Sequence, residues 1–83
     1  MLAEWARDKV KRYAVNEEFN KAFLFFHDGS YLQFEHTSRS NRWAKASGGG
    51  TTADKLCESL RQFRLNAKHL QLFFEDGSNA EFT

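Results

Sequence analysis

Proline is missing from this chain, cysteine occurs once, and glycine is confined to five positions. Disordered chains are rich in proline and glycine, so the absence of one and the scarcity of the other argue against that class. A lone cysteine, Cys57, leaves no internal disulfide and fits a reducing compartment. Because Cys57 follows Leu56 on an apolar helical stripe, it reads as a small core residue rather than a reactive thiol. No apolar run approaches the roughly 18 residues of a membrane span, and Met1 to Ala14 is charged and amphipathic, unlike a signal peptide. The expectation is a cytoplasmic protein with no membrane partner. Charge of one sign is also lacking: 12 Lys and Arg against 11 Asp and Glu give a net charge of +1, too near zero to announce nucleic-acid binding by itself.

What is present is aromatic. Nine Phe, two Trp and two Tyr supply large apolar bodies to a chain of 83 residues. A single domain of that size buries only about 60 to 65% of its unfolded surface.

The most informative pattern is a repeat. Leu24-Phe25-Phe26-His27-Asp28-Gly29-Ser30 returns as Leu72-Phe73-Phe74-Glu75-Asp76-Gly77-Ser78, which reads as an internal duplication. Ahead of the first copy, Leu2, Trp5, Ala6, Val10, Tyr13 and Ala14 recur at helical spacing, with acids early and bases late, as the helix dipole prefers. A polar link, Asn16 to Asn20, leads to a hairpin of Ala22 to Phe26 and Ser30 to His36. Thr37 to Gly50 is a polar, glycine-rich connection. Thr51 or Thr52 then caps the stripe Ala53, Leu56, Cys57, Leu60 and Phe63 of a second helix ending near Asn66. A second hairpin, His69 to Phe74 and Ser78 to Phe82, completes the chain.

The expected fold is therefore α+β, an (αββ)2 duplication in one domain (repeat one about 2–36, loop 37–50, repeat two about 51–83). A four-stranded, mainly antiparallel sheet carries both helices on one face.

Parity refines the hairpins. Both arms of a hairpin must bury the same face. Phe74 and Ala80 share a face only if the loop between the strands holds an odd number of residues. A three-residue loop, Glu75-Asp76-Gly77, with Gly77 left-handed as a bulge, meets this condition. The same loop at His27-Asp28-Gly29 turns Ala22, Leu24, Phe26, Leu32 and Phe34 inward, and leaves Phe23, Phe25, Tyr31 and Phe73 outward.

An outward aromatic cluster marks a binding surface. Phe23, Phe25, Tyr31 and Phe73 are accordingly the expected protein interface, for a partner protein or for a second copy in a homodimer. Other readings of the face are a platform for unpaired bases and a surface covered by Trp43. The strands carry little Lys or Arg, which favours protein over nucleic acid there. The second candidate is the segment 36–52, where Arg39, Arg42, Trp43 and Lys45 precede Gly48 to Gly50, parts that suit a phosphate or nucleic acid. Arg61, Arg64 and Lys68, with Lys55 nearby, extend the basic area.

The histidines, His27, His36 and His69, have no metal-ligand spacing, and no nucleophile with a paired base can be recognised. The sequence therefore points to a non-enzymatic binding module without cofactor or metal, of adaptor or inhibitor type. Nucleic acid is the alternative partner.

Overall fold

In the computed structural model, which describes residues 1–66 and 69–83, nine elements follow one another. They are α1 (Leu2–Lys9), β1 (Val10–Val15), β2 (Lys21–Phe26), β3 (Tyr31–Thr37), β4 (Arg42–Gly49), α2 (Thr51–Ser59), β5 (Leu60–Leu65), β6 (Leu70–Phe74) and β7 (Asn79–Phe82). The class is α+β, with two helices and antiparallel sheets.

The expected single sheet is instead two, ordered β1-β2-β3-β4 and β5-β6-β7. The αββ unit becomes αβββ, because both helices end a turn or more early and their tails become strands β1 and β5. A bulge explains the ambiguity. The register slips between Val10 and Arg12 against β2, and between Leu60 and Gln62 against β6. Each bulge inserts one residue, so the inward set is Val10, Tyr13, Val15 in β1 and Leu60, Phe63, Leu65 in β5. That first step of three imitates helical spacing.

Strand β4 was concealed for another reason. It is an edge strand whose side chains are mostly exposed, Trp43 being the large apolar exception. Its ladder with β3, rather than buried side chains, holds it in place. Gly48 and Gly50 are sites of close approach, not slack: a Cβ on Gly48, whose φ is +107°, would lie 2.3 Å from the carbonyl oxygen of Tyr31, and one on Gly50 equally close to the Ser30 side chain.

The inner faces of the two sheets share one core. Leu24, Leu32, Leu56, Leu70, Leu72 and Phe74 are almost fully buried, and Phe34 stacks on Phe63 across the sheets at 4.4 Å. The helices do not lie together on one sheet face as expected. Helix α1 packs on β6 and β7, α2 on β4, and the two meet each other. Among their buried positions Ala3, Ala6 and Ala53 are small enough for close approach, and Leu56 fills the core.

Both hairpin loops have three residues. Phe26 N–H donates to the Ser30 carbonyl and Phe74 N–H to the Ser78 carbonyl, each at 3.0 Å, with Gly29 and Gly77 left-handed. The repeated Asp-Gly-Ser then reaches across the molecule. Asp28 accepts the backbone N–H and hydroxyl of Thr52, and Ser30 Oγ accepts the N–H of Ala53. Asp76 accepts the N–H of Leu2, and Ser78 Oγ that of Ala3. Neither helix has a side-chain cap of its own at its N-cap residue. Each is capped by the hairpin loop of the opposite half, which satisfies amides that would otherwise lack partners.

Candidate functional site

The outer face of the first sheet is built by alternation. Phe23 and Phe25 on β2 point away from the core and stack nearly parallel along the strand, centroids 6.2 Å apart. Phe25 stands opposite Arg12 on one side and Tyr31 on the other. The Arg12 guanidinium lies 4.2 Å over the Phe25 ring, a cation–π contact worth about 0.5–1 kcal/mol at an exposed site. Tyr31 keeps 41% of its surface exposed, and Phe23 and Phe25 are half-buried. Polar groups complete the face: Lys21 stands opposite Glu35, while Ser47 donates to Gln33 and Gln33 to Glu35.

Phe73 is not part of this surface. It lies on β6 of the second sheet, flanked across the strands by Gln62 and Asn79. The aromatic cluster read from the repeat is therefore divided, with three of its members on one sheet and one on the other. The two copies of the repeated segment sit in different sheets.

Trp43 does not cover the outer face. It pairs across the ladder with His36, on the core side of β4, and leans on Phe63 at 5.2 Å and His36 at 5.4 Å. There it lines a groove of about 830 Å3 between the free edges of β4 and β5. Arg42 and Lys45 reach the groove from β4, Arg61 and Arg64 from β5. All four are exposed, and among the described residues none forms an ion pair. Arg39 is elsewhere, exposed in the turn between β3 and β4 and absent from the lining. Lys55 sits 4.8 Å over the Trp5 ring, and Lys68 lies outside the described residues.

The two loop carboxylates carry the shifted ionisations. Hydrogen bonds from the Ser30 and Thr52 hydroxyls, with the Ser30 amide, hold Asp28 well below the usual carboxylate range. The Leu2 amide, then the Ser78 hydroxyl and amide, lower Asp76 to about 2. Both groups are helix caps with their acceptor positions occupied, so their acidity belongs to folding rather than to proton transfer. Among the described residues, no group of three or more His, Cys, Asp and Glu side chains could share a metal ion. His69 pairs with Glu81 at 3.0 Å, while His36 stands by Trp43 and Asn41. No helix is long and apolar enough to cross a membrane among the described residues.

Sequence reasoning passed over Arg12 and Phe19. Arg12 was hidden by its assignment to a helix. Phe19, at the tip of the loop between β1 and β2, is 44% exposed with a left-handed φ of 59°, a conformation disfavoured for a bulky side chain. Its sequence signal was one aromatic among acids and asparagines.

Comparison of the chain with family models, curated proteins and solved structures finds no match.

Proposed function

We propose that the chain is a non-enzymatic protein-binding module whose outer first-sheet face, centred on Phe23, Phe25 and Tyr31, pairs with a second copy of itself. The carrying observation is an uncapped aromatic row on a four-stranded sheet, with a rim of both charge signs. Self-pairing is supported by the distribution of that charge. Arg12 lies on β1 level with Tyr31 and Glu35 on β3 at the other end of the ladder, so a twofold axis running diagonally to the strands brings opposite charges of the two copies together.

Size sets the strength. Four strands at roughly 4.8 Å spacing, each of about seven residues, span roughly 20 by 23 Å. That footprint is at the low end for specific interfaces, the class of weak, reversible pairs. The aromatic centre supplies the anchors and the polar ladder of Gln33, Glu35 and Ser47 the rim.

The module is read as a duplicated αβββ unit with β4 added to the first copy. Support comes from the repeated loop, the bulge at the same place in β1 and β5, and the matched caps at Ala3 and Ala53.

Sedimentation velocity over a concentration series tests the function. The wild-type chain should shift from monomer to dimer. Phe25→Ala combined with Tyr31→Ala should stay monomeric, whereas Phe73→Ala on the second sheet should dimerise like the wild type. A wild-type chain that remains monomeric into the millimolar range would exclude this reading.

A further inference from the structure

We infer that the groove between β4 and β5 is a binding site for single-stranded nucleic acid, separate from the outer sheet face. The charge in the groove does not follow from composition. Eleven acids in 83 residues would put about two in a lining of fourteen, yet among the described residues the lining holds Arg42, Lys45, Arg61 and Arg64 and no acid. Four like charges on the two strands that line one groove repel one another in the free protein. A polyanion relieves that repulsion and releases its own counterions as it binds.

The groove also carries an aromatic surface. Trp43 is fixed in place by Phe63 and His36 and remains only half-buried. Bases stack on such a ring whatever their identity. The walls are free strand edges, so outward backbone amides and carbonyls are available beside the charged side chains.

These features select among polyanions. A duplex keeps its bases stacked inside and offers the groove only phosphates, leaving Trp43 unused. An acidic peptide brings carboxylates to the cations but no planar rings to the indole. A single strand brings both phosphates and exposed bases to the same groove.

The test is fluorescence anisotropy with a labelled oligothymidine of about twelve nucleotides. With up to four phosphates neutralised, the logarithm of the affinity should fall against the logarithm of salt with a slope of about −3, which is a loss of about 50-fold between about 50 and 200 mM salt. Arg61→Gln with Arg64→Gln should roughly halve that slope and weaken binding at low salt at least tenfold. Lys9→Gln with Lys11→Gln, the same charge change outside this groove, should alter affinity by about twofold or less, and circular dichroism should show both variants folded. Cys57, which also lines the groove, provides a second readout: bound oligonucleotide should slow its reaction with a thiol reagent. The inference is overturned by an absence of binding at low salt or by equal losses in the two double variants. Tighter binding of a duplex or of polyglutamate than of the oligothymidine would overturn it equally.

Discussion

The hydroxyl of Ser30 accepts the backbone N–H of Ala53 at 3.2 Å, so a hairpin in the first half of the chain caps the helix of the second. Ser78 and Ala3 stand in the same relation at 3.1 Å, in the opposite direction. The two halves are thus fastened by a reciprocal pair of caps, each a turn made by the repeated Asp-Gly-Ser.

Ser30→Ala should cost about 1 kcal/mol, the usual value for loss of a helix cap. The position of the effect distinguishes this cap from a local turn contact. Hydrogen exchange should quicken at the start of α2 for Ser30→Ala and at the start of α1 for Ser78→Ala. Faster exchange confined to the mutated hairpin would count against capping across the halves.

The carboxylates give the fold an acid limit. Asp28 and Asp76 ionise below their ordinary value of 3.8 in the folded chain, so the stability they contribute is present above about pH 4. It is lost as the pH falls through their folded values, toward about 2 for Asp76. Urea midpoints should therefore be level near neutrality and decline below about pH 4. Asp28→Asn with Asp76→Asn should be less stable at neutral pH and show a shallower acid decline. An unchanged acid profile in that variant would remove the assignment.

The glycines separate two causes of strain. Gly29 is left-handed with open space around it, whereas Gly48 is left-handed and faces the Tyr31 carbonyl at contact distance. Gly29→Ala should cost about 1 kcal/mol for conformation alone. Gly48→Ala should cost more and detach β4 from β3, read as faster exchange of the Tyr31 and Gln33 amides. Equal thermal melting of the two variants would contradict the close packing of β4.

Phe19 offers the reverse change. Asn tolerates the left-handed conformation that Phe19 adopts, so Phe19→Asn should raise stability by about 0.5–1 kcal/mol. Thermal unfolding checks this, and a lower melting temperature would mean that the ring packs against something worth more than the strain.

Much of this was legible in the sequence, for reasons particular to each element. The duplicated Leu-Phe-Phe segment with Asp-Gly-Ser specified both hairpins, because the parity of Phe74 and Ala80 admits only an odd loop. The inward set Ala22, Leu24, Phe26, Leu32 and Phe34 follows from the same argument and is buried. Strands β1 and β5 were illegible because a bulge after Val10 and Leu60 gives an apolar step of three, which a helix shares. β4 was illegible because an edge strand rich in small and polar residues has no alternation. The missed β4 misplaced Trp43, and the missed β5 left Arg61 and Arg64 assigned to a helix instead of on the other side of a groove from Arg42 and Lys45. Phe73 was misassigned because a repeat reports local structure and not which sheet each copy joins.

The central functional claim is that the outer face of the first sheet is where two copies meet. It is tested most directly by amide chemical shifts recorded on dilution from about 1 mM to about 10 μM, across the expected dissociation range. The account predicts concentration-dependent shifts grouped at Arg12, Phe23, Phe25, Tyr31, Gln33 and Ser47, with Phe73 and its neighbours Gln62 and Asn79 unmoved. Shifts that are absent throughout, or that gather on the second sheet instead, would contradict it.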